Sequence, residues 1–352
     1  MLQIGLNPYG LTYYLGLQGR GTPRANPAGR GLEGFIAVAA ELRAKTIELH
    51  NAWLTELSAA ETRALRERLA ALGMTPVISL GPPLEGVDSA IRSAAGIGAK
   101  IVRLGLSPVL CGDRNAWGPQ WHEFIANARL NLRTYAPRAA DLGLTFAIED
   151  HQDFGSRELL DFCAESGPNV GICLDTGNSF SVGESPLAFA RRVAPLVRHV
   201  HLKDYNTQWT DEGYRLVRCA IGDGAVPFPE LAAILAGHHR TLTASLEPGA
   251  LEARHVRLFR PEWWNGYAPM TAAELGPCLT AARVRRLPDD AVMRVNAGGA
   301  EGPKPSLRTA RSRVPACSCS AIRGSASAAP RVPVTSSLSA AAGACCPATV
   351  NA

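Results

Sequence analysis

The sequence predicts one α/β domain over residues 1–288, eight parallel strands alternating with eight helices and closed into a (β/α)8 barrel, with a low-complexity, disordered tail over 289–352. Three observations predict it. Short runs of branched apolar residues alternate with helical patterns eight times before Pro288, four of the later runs finish on an acid or a histidine, and the composition changes abruptly beyond Pro288.

The first strand is expected over Gln3–Leu6, ahead of a Gly-, Pro- and Arg-rich loop from Gly16 to Gly31. Leu32–Ala44 has helical apolar spacing, and Thr46–His50 is the next strand. Ser58 with Glu61 three residues on forms a capping box that opens a helix to Leu72, which Gly73 stops. Thr75–Leu80 is the third strand, Val87–Gly96 a helix and Lys100–Leu104 the fourth strand. A long helical pattern from Gln120 to Leu142 leads into a strand ending at Glu149. Arg157–Ser166 is helical, the sixth strand ends at Asp175, Ser185–Leu196 is helical and the seventh strand carries His201. Asp204 to Pro227 reads as a second long loop and Phe228–Gly237 as a helix. The eighth strand then ends at Glu247, and a loop bearing Trp263, Trp264 and Tyr267 precedes a last helix over Thr271–Arg286.

The net charge of +5 would suit an anionic partner, but it is unevenly placed. From Ala291 onward there are seven basic residues and one acidic, leaving 29 basic and 30 acidic before them. A near-neutral barrel offers no electrostatic footprint for nucleic acid. No apolar run is long enough to span a membrane, and the first residues have no basic region ahead of an apolar stretch. The nine cysteines show no framework spacing, which fits a reducing cytoplasm. The last 62 residues contain no Phe, Trp or Tyr, so they cannot bury enough apolar surface to offset their ordering entropy.

The chemistry gathers at the strand ends. In V-G-I-C-L-D-T-G-N, a buried-strand pattern delivers Asp175 into a Thr-Gly-Asn turn, and neighbouring units deliver Glu149, His201 and Glu247 in the same way. Counting back by twos places Ala147, Cys173, His199 and Ser245 on the same face as these four. The opposite face carries Phe146, Ile148, Ile172, Leu174, Val200, Leu202, Leu242 and Leu246. A parallel barrel with a functional mouth asks for this split, large side chains under the helices and small or polar ones inside. Three carboxylates and an imidazole suit Mn2+ or Mg2+, with Co2+ or Zn2+ admissible. Glu48, His50 and His151 share the inward parity, while Lys203, Arg254 and His255 are cationic groups suited to a sugar-acid carboxylate or phosphate at the mouth. For Lys203 the competing reading is an internal salt bridge to Asp204 or Glu149. For the Trp263–Tyr267 loop a packed rim competes with a lid.

The segments F-A-I-E-D-H, C-L-D-T-G-N, V-H-L-K-D, I-G-D-G-A-V-P-F and S-L-E-P together resemble the xylose isomerase-like TIM barrels, a superfamily of sugar isomerases and epimerases that also includes endonuclease IV-type nucleases. The resemblance implies that Glu149, Asp175, His201 and Glu247 hold one divalent metal and that Glu149 and Glu247 transfer the proton. Two positions depart from tagatose and psicose epimerases: Asn178 stands where those enzymes usually carry His, and Gly155 where they carry Glu. Both count against an unmodified ketose epimerase. The segment R-H-V-R-L-F-R-P-E-W-W is similar to the 3-oxo-isoapionate decarboxylase branch.

The expectation is therefore a metal-dependent isomerase or epimerase working on a small keto-sugar or sugar acid through a metal-bound enediolate, with Asn178 among the substrate-contacting residues. Decarboxylation of a 3-oxo sugar acid would use the same enolate chemistry, and a non-catalytic sugar-binding barrel is the alternative of another class. A nuclease would need further histidines that S-L-G-P-P and R-L-G-L-S lack. Neither nucleic acid nor membrane is expected as a partner, and a homo-oligomer is compatible with the sequence.

Overall fold

The computed structural model describes residues 1–288 apart from 20, 24, 83 and 248–252, together with residue 291, so the tail expected over 289–352 otherwise lies outside the described residues. In chain order the strands are β1 (Leu2–Leu6), β2 (Thr46–His50), β3 (Thr75–Leu80), β4 (Ile101–Leu104), β5 (Thr145–Glu149), β6 (Val170–Asp175), β7 (Val197–Leu202), β8 (Tyr205–Thr210), β9 (Gly213–Arg218), β10 (Leu242–Leu246) and β11 (Ala253–Val256). The helices are α1 (Gly31–Glu41), α2 (Asn51–Leu54), α3 (Ala59–Ala71), α4 (Val87–Ile97), α5 (Gln120–Asp141), α6 (Ser156–Ser166), α7 (Pro186–Val193), α8 (Phe228–Ala236) and α9 (Ala272–Ala282).

Eight of the strands form a closed parallel barrel in the order β1-β10-β7-β6-β5-β4-β3-β2. Side-chain parity explains why it closes. Phe146, Ile148, Ile172, Leu174, Val200 and Leu202 are at most 2% exposed and join the core shared with the surrounding helices. β1 pairs with β10 from Leu2↔Leu242 to Leu6↔Leu246, but with β2 only at Leu6↔Ile47. At that seam the backbones are so close that a Cβ on Gly5 would lie 1.5 Å from the Thr46 carbonyl oxygen, so only glycine fits.

The capping box of Ser58 and Glu61 is present at the start of α3. One expectation needs correction. The segment expected as a loop from Asp204 to Pro227 contains the antiparallel hairpin β8–β9, and β11 adds to β9 to complete a three-stranded sheet. Tyr205, Thr207, Tyr214 and Leu216 are fully buried, so this sheet owes its stability to packing that arrives from distant chain: Tyr214 donates to the Phe180 carbonyl, and Thr207 to that of Ala282. The Trp/Arg-rich segment is likewise ordered on the rim. Trp263 stacks on Tyr267 with centroids 4.8 Å apart, and the Trp263 indole and Tyr267 hydroxyl donate to the carbonyls of Cys111 and Gly112. This is a packed rim element.

Candidate metal centre and active site

Four adjacent barrel strands deliver the four expected ligands to one place. Glu149 lies level with Cys173, Asp175 with His201, and His201 with Ser245, while Glu247 follows the last residue of β10. Ligand atoms of Glu149, Asp175, His201 and Glu247 all lie within 4.8 Å of one another, and none of the four residues is more than 7% exposed. The His201 ring orders the group. Its Nδ1 is 3.0 Å from Glu149 Oε1 and 3.1 Å from Glu247 Oε2, and its Nε2 is 2.8 Å from Glu48 Oε2.

That geometry fits a cation. Nδ1 faces the two carboxylates that would share the ion, and with Glu48 accepting from the other ring nitrogen, Nδ1 is the atom that would turn its lone pair to a bound metal. Three buried carboxylates and one imidazole form an oxygen-rich donor set suited to hard or borderline divalent metals. A deeper trio, Cys173, His199 and His201, is equally compact. There, both His199 nitrogens face hydroxyls, Thr243 at 2.7 Å and Ser245 at 3.1 Å, and burial pushes the Cys173 thiol up to about 12. We read this trio as interior packing.

Buried cations compensate the acids. Arg103 lies 3.2 Å from Glu48 and 3.1 Å from Glu149, and donates to the Ser79 hydroxyl. Lys203 Nζ is 2.5 Å from Asp175 Oδ2 and 3.1 Å from Glu247 Oε1, and Arg218 reaches that same Glu247 oxygen at 3.2 Å. Burial alone would raise every one of these carboxyls. For Glu149 the Arg103 guanidinium and the His201 ring outweigh it and bring the group down to about 2. Glu247 is held well below the usual carboxylate range because Lys203, the His201 hydrogen bond and Arg218 overcome burial. Glu48 is held low against burial by His201, His199 and Arg103. Asp150 goes the other way: burial and the neighbouring Asp175 push it well above its ordinary value, although one of its oxygens accepts from the Asp175 amide at 2.5 Å. His201 is raised against burial by Cys173, Glu48 and Glu149, as befits a ring with both nitrogens facing carboxylate oxygens.

The remaining expected residues divide. Lys203 is ion-paired as one reading held, but to Asp175 and Glu247, because the inward parity it shares with His201 carries it into the cluster. Glu48 lies fully buried beneath His201. Asn178 Oδ1 faces Gln152 Nε2 at 3.2 Å, the Tyr205 hydroxyl at 3.3 Å and Lys203 Nζ at 3.5 Å. His151 has a buried Nδ1 with no hydrogen-bond partner, and burial lowers its pKa against the pull of Glu149. His50 accepts from the Ala52 amide and so caps α2. Arg254 donates to the Tyr9 hydroxyl at 3.3 Å. His255 is 3.0 Å from Thr210 Oγ1 and lines a cavity of about 310 Å3 with Leu110, Cys111, Trp117 and Arg257, so it belongs to the rim and not to the ligand cluster. At Gly155, Glu184 takes the space a side chain would need, its Oε1 2.9 Å from where a Cβ would stand.

Sequence reasoning missed Arg103, Arg218 and Asp150. For Arg103 there was a signal: in I-V-R-L the flanking Val102 and Leu104 point to the helices, so the one charged residue of a short central strand must point inward.

A closed parallel barrel gathering three carboxylates and a histidine at the carboxyl ends of its strands defines a class of (β/α)8 proteins with a candidate metal site at the mouth. Within that class the chain belongs to the xylose isomerase-like TIM barrel family, whose sequence model matches residues 36–255. It is 29% identical to the uncharacterized Escherichia coli (strain K12) protein YihM over 170 residues, 44% of this chain and about half of that protein's length (51%). It is 24% identical to the 3-oxo-isoapionate decarboxylase of Pectobacterium atrosepticum over 253 residues, 70% of this chain and 85% of that protein. Among solved structures, a D-tagatose 3-epimerase-like protein aligns with a TM-score of 0.50 at 19% identity, covering 62% of this chain and 87% of the other. The D-psicose 3-epimerase of Clostridium cellulolyticum H10, solved with D-tagatose, also gives 0.50, at 16% identity over 72% of this chain and 93% of that one. At these identities the structural likeness shows the fold alone. No described helix is long and apolar enough to cross a membrane.

Proposed function

We propose that the protein is a divalent-metal-dependent enzyme of the sugar isomerase or epimerase type, acting on a keto-sugar or sugar acid by moving a proton on a carbon next to a carbonyl. The observation that carries this reading is the convergence of Glu149, Asp175, His201 and Glu247 within 4.8 Å at the strand ends. When bound, Mn2+ or Mg2+ would supply Lewis-acid polarisation of the carbonyl and a neighbouring hydroxyl. The chain's own residues would move the proton. Glu149 Oε2 is held by Arg103 while its Oε1 faces His201, and Glu247 Oε1 is held by Lys203 and Arg218 while its Oε2 faces His201. Each carboxylate thus has one oxygen anchored and one turned to the shared centre. One can take the proton from carbon as the other returns it.

Loss of CO2 from a 3-oxo sugar acid passes through the same enolate, and the likeness to a 3-oxo-isoapionate decarboxylase over most of that protein's length favours it as the second reading. The test is proton exchange in D2O, followed by NMR, with the full chain, Mn2+ and a panel of keto-sugars and 3-oxo acids. Exchange or inversion at one C–H supports the isomerase reading, and CO2 release supports the decarboxylase. Glu149→Gln and Glu247→Gln should each slow turnover by roughly 10²- to 10⁴-fold. A Mn2+-loaded protein that binds a sugar yet neither exchanges protons nor releases CO2 would overturn both in favour of a binding barrel.

A further inference from the structure

Lys203 lies among the ligand oxygens, and what it does to the metal is an inference that rests on the metal-dependent reading above. Its Nζ is 2.5 Å from Asp175 Oδ2 and 3.1 Å from Glu247 Oε1, so one ammonium bridges two of the four expected ligands. The side chain is 2% exposed. Its backbone is fixed by Thr176, whose hydroxyl accepts from the Lys203 amide at 2.9 Å and donates to the Lys203 carbonyl at 2.6 Å. The carboxylates are not equally free. Glu149 and Glu247 each turn one oxygen to the His201 ring, whereas Asp175 has both engaged, Oδ1 by the Gly177 amide at 3.2 Å and Oδ2 by the ammonium.

An ammonium and a divalent ion that draw on the same carboxylates repel each other, and solvent screens them little at this depth. We propose that Lys203 is an internal competitor for the metal: the ion binds only as Lys203 gives up Asp175, and the lysine thereby sets the affinity of the site. Asn178 offers the ammonium its next acceptor, with Oδ1 3.5 Å from Nζ. Gln152 Nε2 at 3.2 Å and the Tyr205 hydroxyl at 3.3 Å hold that oxygen in place. Because the ammonium also neutralises buried acids, folding need not wait for the ion. A lysine that merely oriented its carboxylates would act in the opposite sense. Losing such a partner weakens metal binding by roughly 10- to 100-fold, whereas losing a competitor strengthens it.

Calorimetric titration of the EDTA-stripped full chain with Mn2+ compares wild type with Lys203→Met, which keeps an unbranched apolar stem. The variant should bind Mn2+ ~10-fold or more tightly than wild type. Without metal its urea midpoint should lie below that of wild type, and added Mn2+ should close the difference. Equal or weaker binding by the folded variant would overturn the proposal and leave the metal site standing. No binding by either protein overturns the metal reading, and this inference with it. Should the variant not fold, wild type alone decides. The chain has four lysines, Lys45, Lys100, Lys203 and Lys304, and Lys45 and Lys100 are exposed. In protein labelled with 15N-lysine, the slowly exchanging ammonium signal therefore reports Lys203. It should shift and exchange faster as diamagnetic Zn2+, which a site that holds Mn2+ also takes, saturates the protein. A signal unmoved at saturation would overturn the proposal.

Discussion

Arg103 holds together the buried acids under the cluster. It bridges Glu48 and Glu149, and through Glu48 it fixes the ring of His201. Arg103→Met should destabilise the fold by about 3–5 kcal/mol, because it strips two buried carboxylates of the guanidinium they share. Urea unfolding would measure this, and an unchanged midpoint would contradict it. Asp153 makes a different case. It is buried, accepts from the Ser107 hydroxyl at 2.8 Å and the Phe154 amide at 2.9 Å, and burial outweighs both bonds to push it up to about 7. Its folded pKa lies above its unfolded one, so the native state binds more protons across that interval and stability falls as pH rises from about 4 to 7, by on the order of a few kcal/mol. Asp153→Asn should flatten this part of the stability curve, and a slope equal to wild type would contradict the assignment. The sequence revealed Glu149, Asp175, His201 and Glu247 because strand alternation fixes which way each points. Parity also turns Arg103 and Lys203 inward, but which acids they and Arg218 meet is decided only once the barrel closes.

Asp204 shows how an element can be held from its end. Its carboxylate accepts from the amides of Tyr205, Gly222, Gly224 and Val226, tying the start of β8 to the G-D-G turn that precedes α8. Asp204→Ala would orphan four donors around a largely buried point, at a cost of roughly 1–3 kcal/mol for each that water cannot reach. Hydrogen exchange should show residues 205–226 opening while β5 to β7 stay protected, and uniform protection would count against this role. The same segment marks where sequence reading stopped. The eight barrel strands read as short apolar runs before a turn, and the capping box of α3 is local chemistry. The hairpin β8–β9 has polar residues at Asn206, Gln208 and Arg215, and its third strand comes from beyond β10. A sheet completed by so distant a partner leaves little local pattern. The inward set was legible for a related reason: it needs only the parity of single strands.

At the scale of the molecule, closure of the barrel is what turns four distant residues into one site. The seam where Gly5 meets Thr46 completes the ring, and outward-facing Phe146, Ile148, Ile172 and Leu174 tie β5 and β6 into the core shared with the helices. A ligand that binds only the closed form stabilises it, by about 2.7 kcal/mol at a hundred times its dissociation constant. Calorimetric titration of EDTA-stripped full-length protein with Mn2+ tests the central claim most directly. One ion should bind per chain in the wild type, and binding should weaken at least ~100-fold in both Asp175→Asn and His201→Gln, a loss of about 2.7 kcal/mol per ligand. No binding in the wild type, or binding untouched by either substitution, would contradict the account.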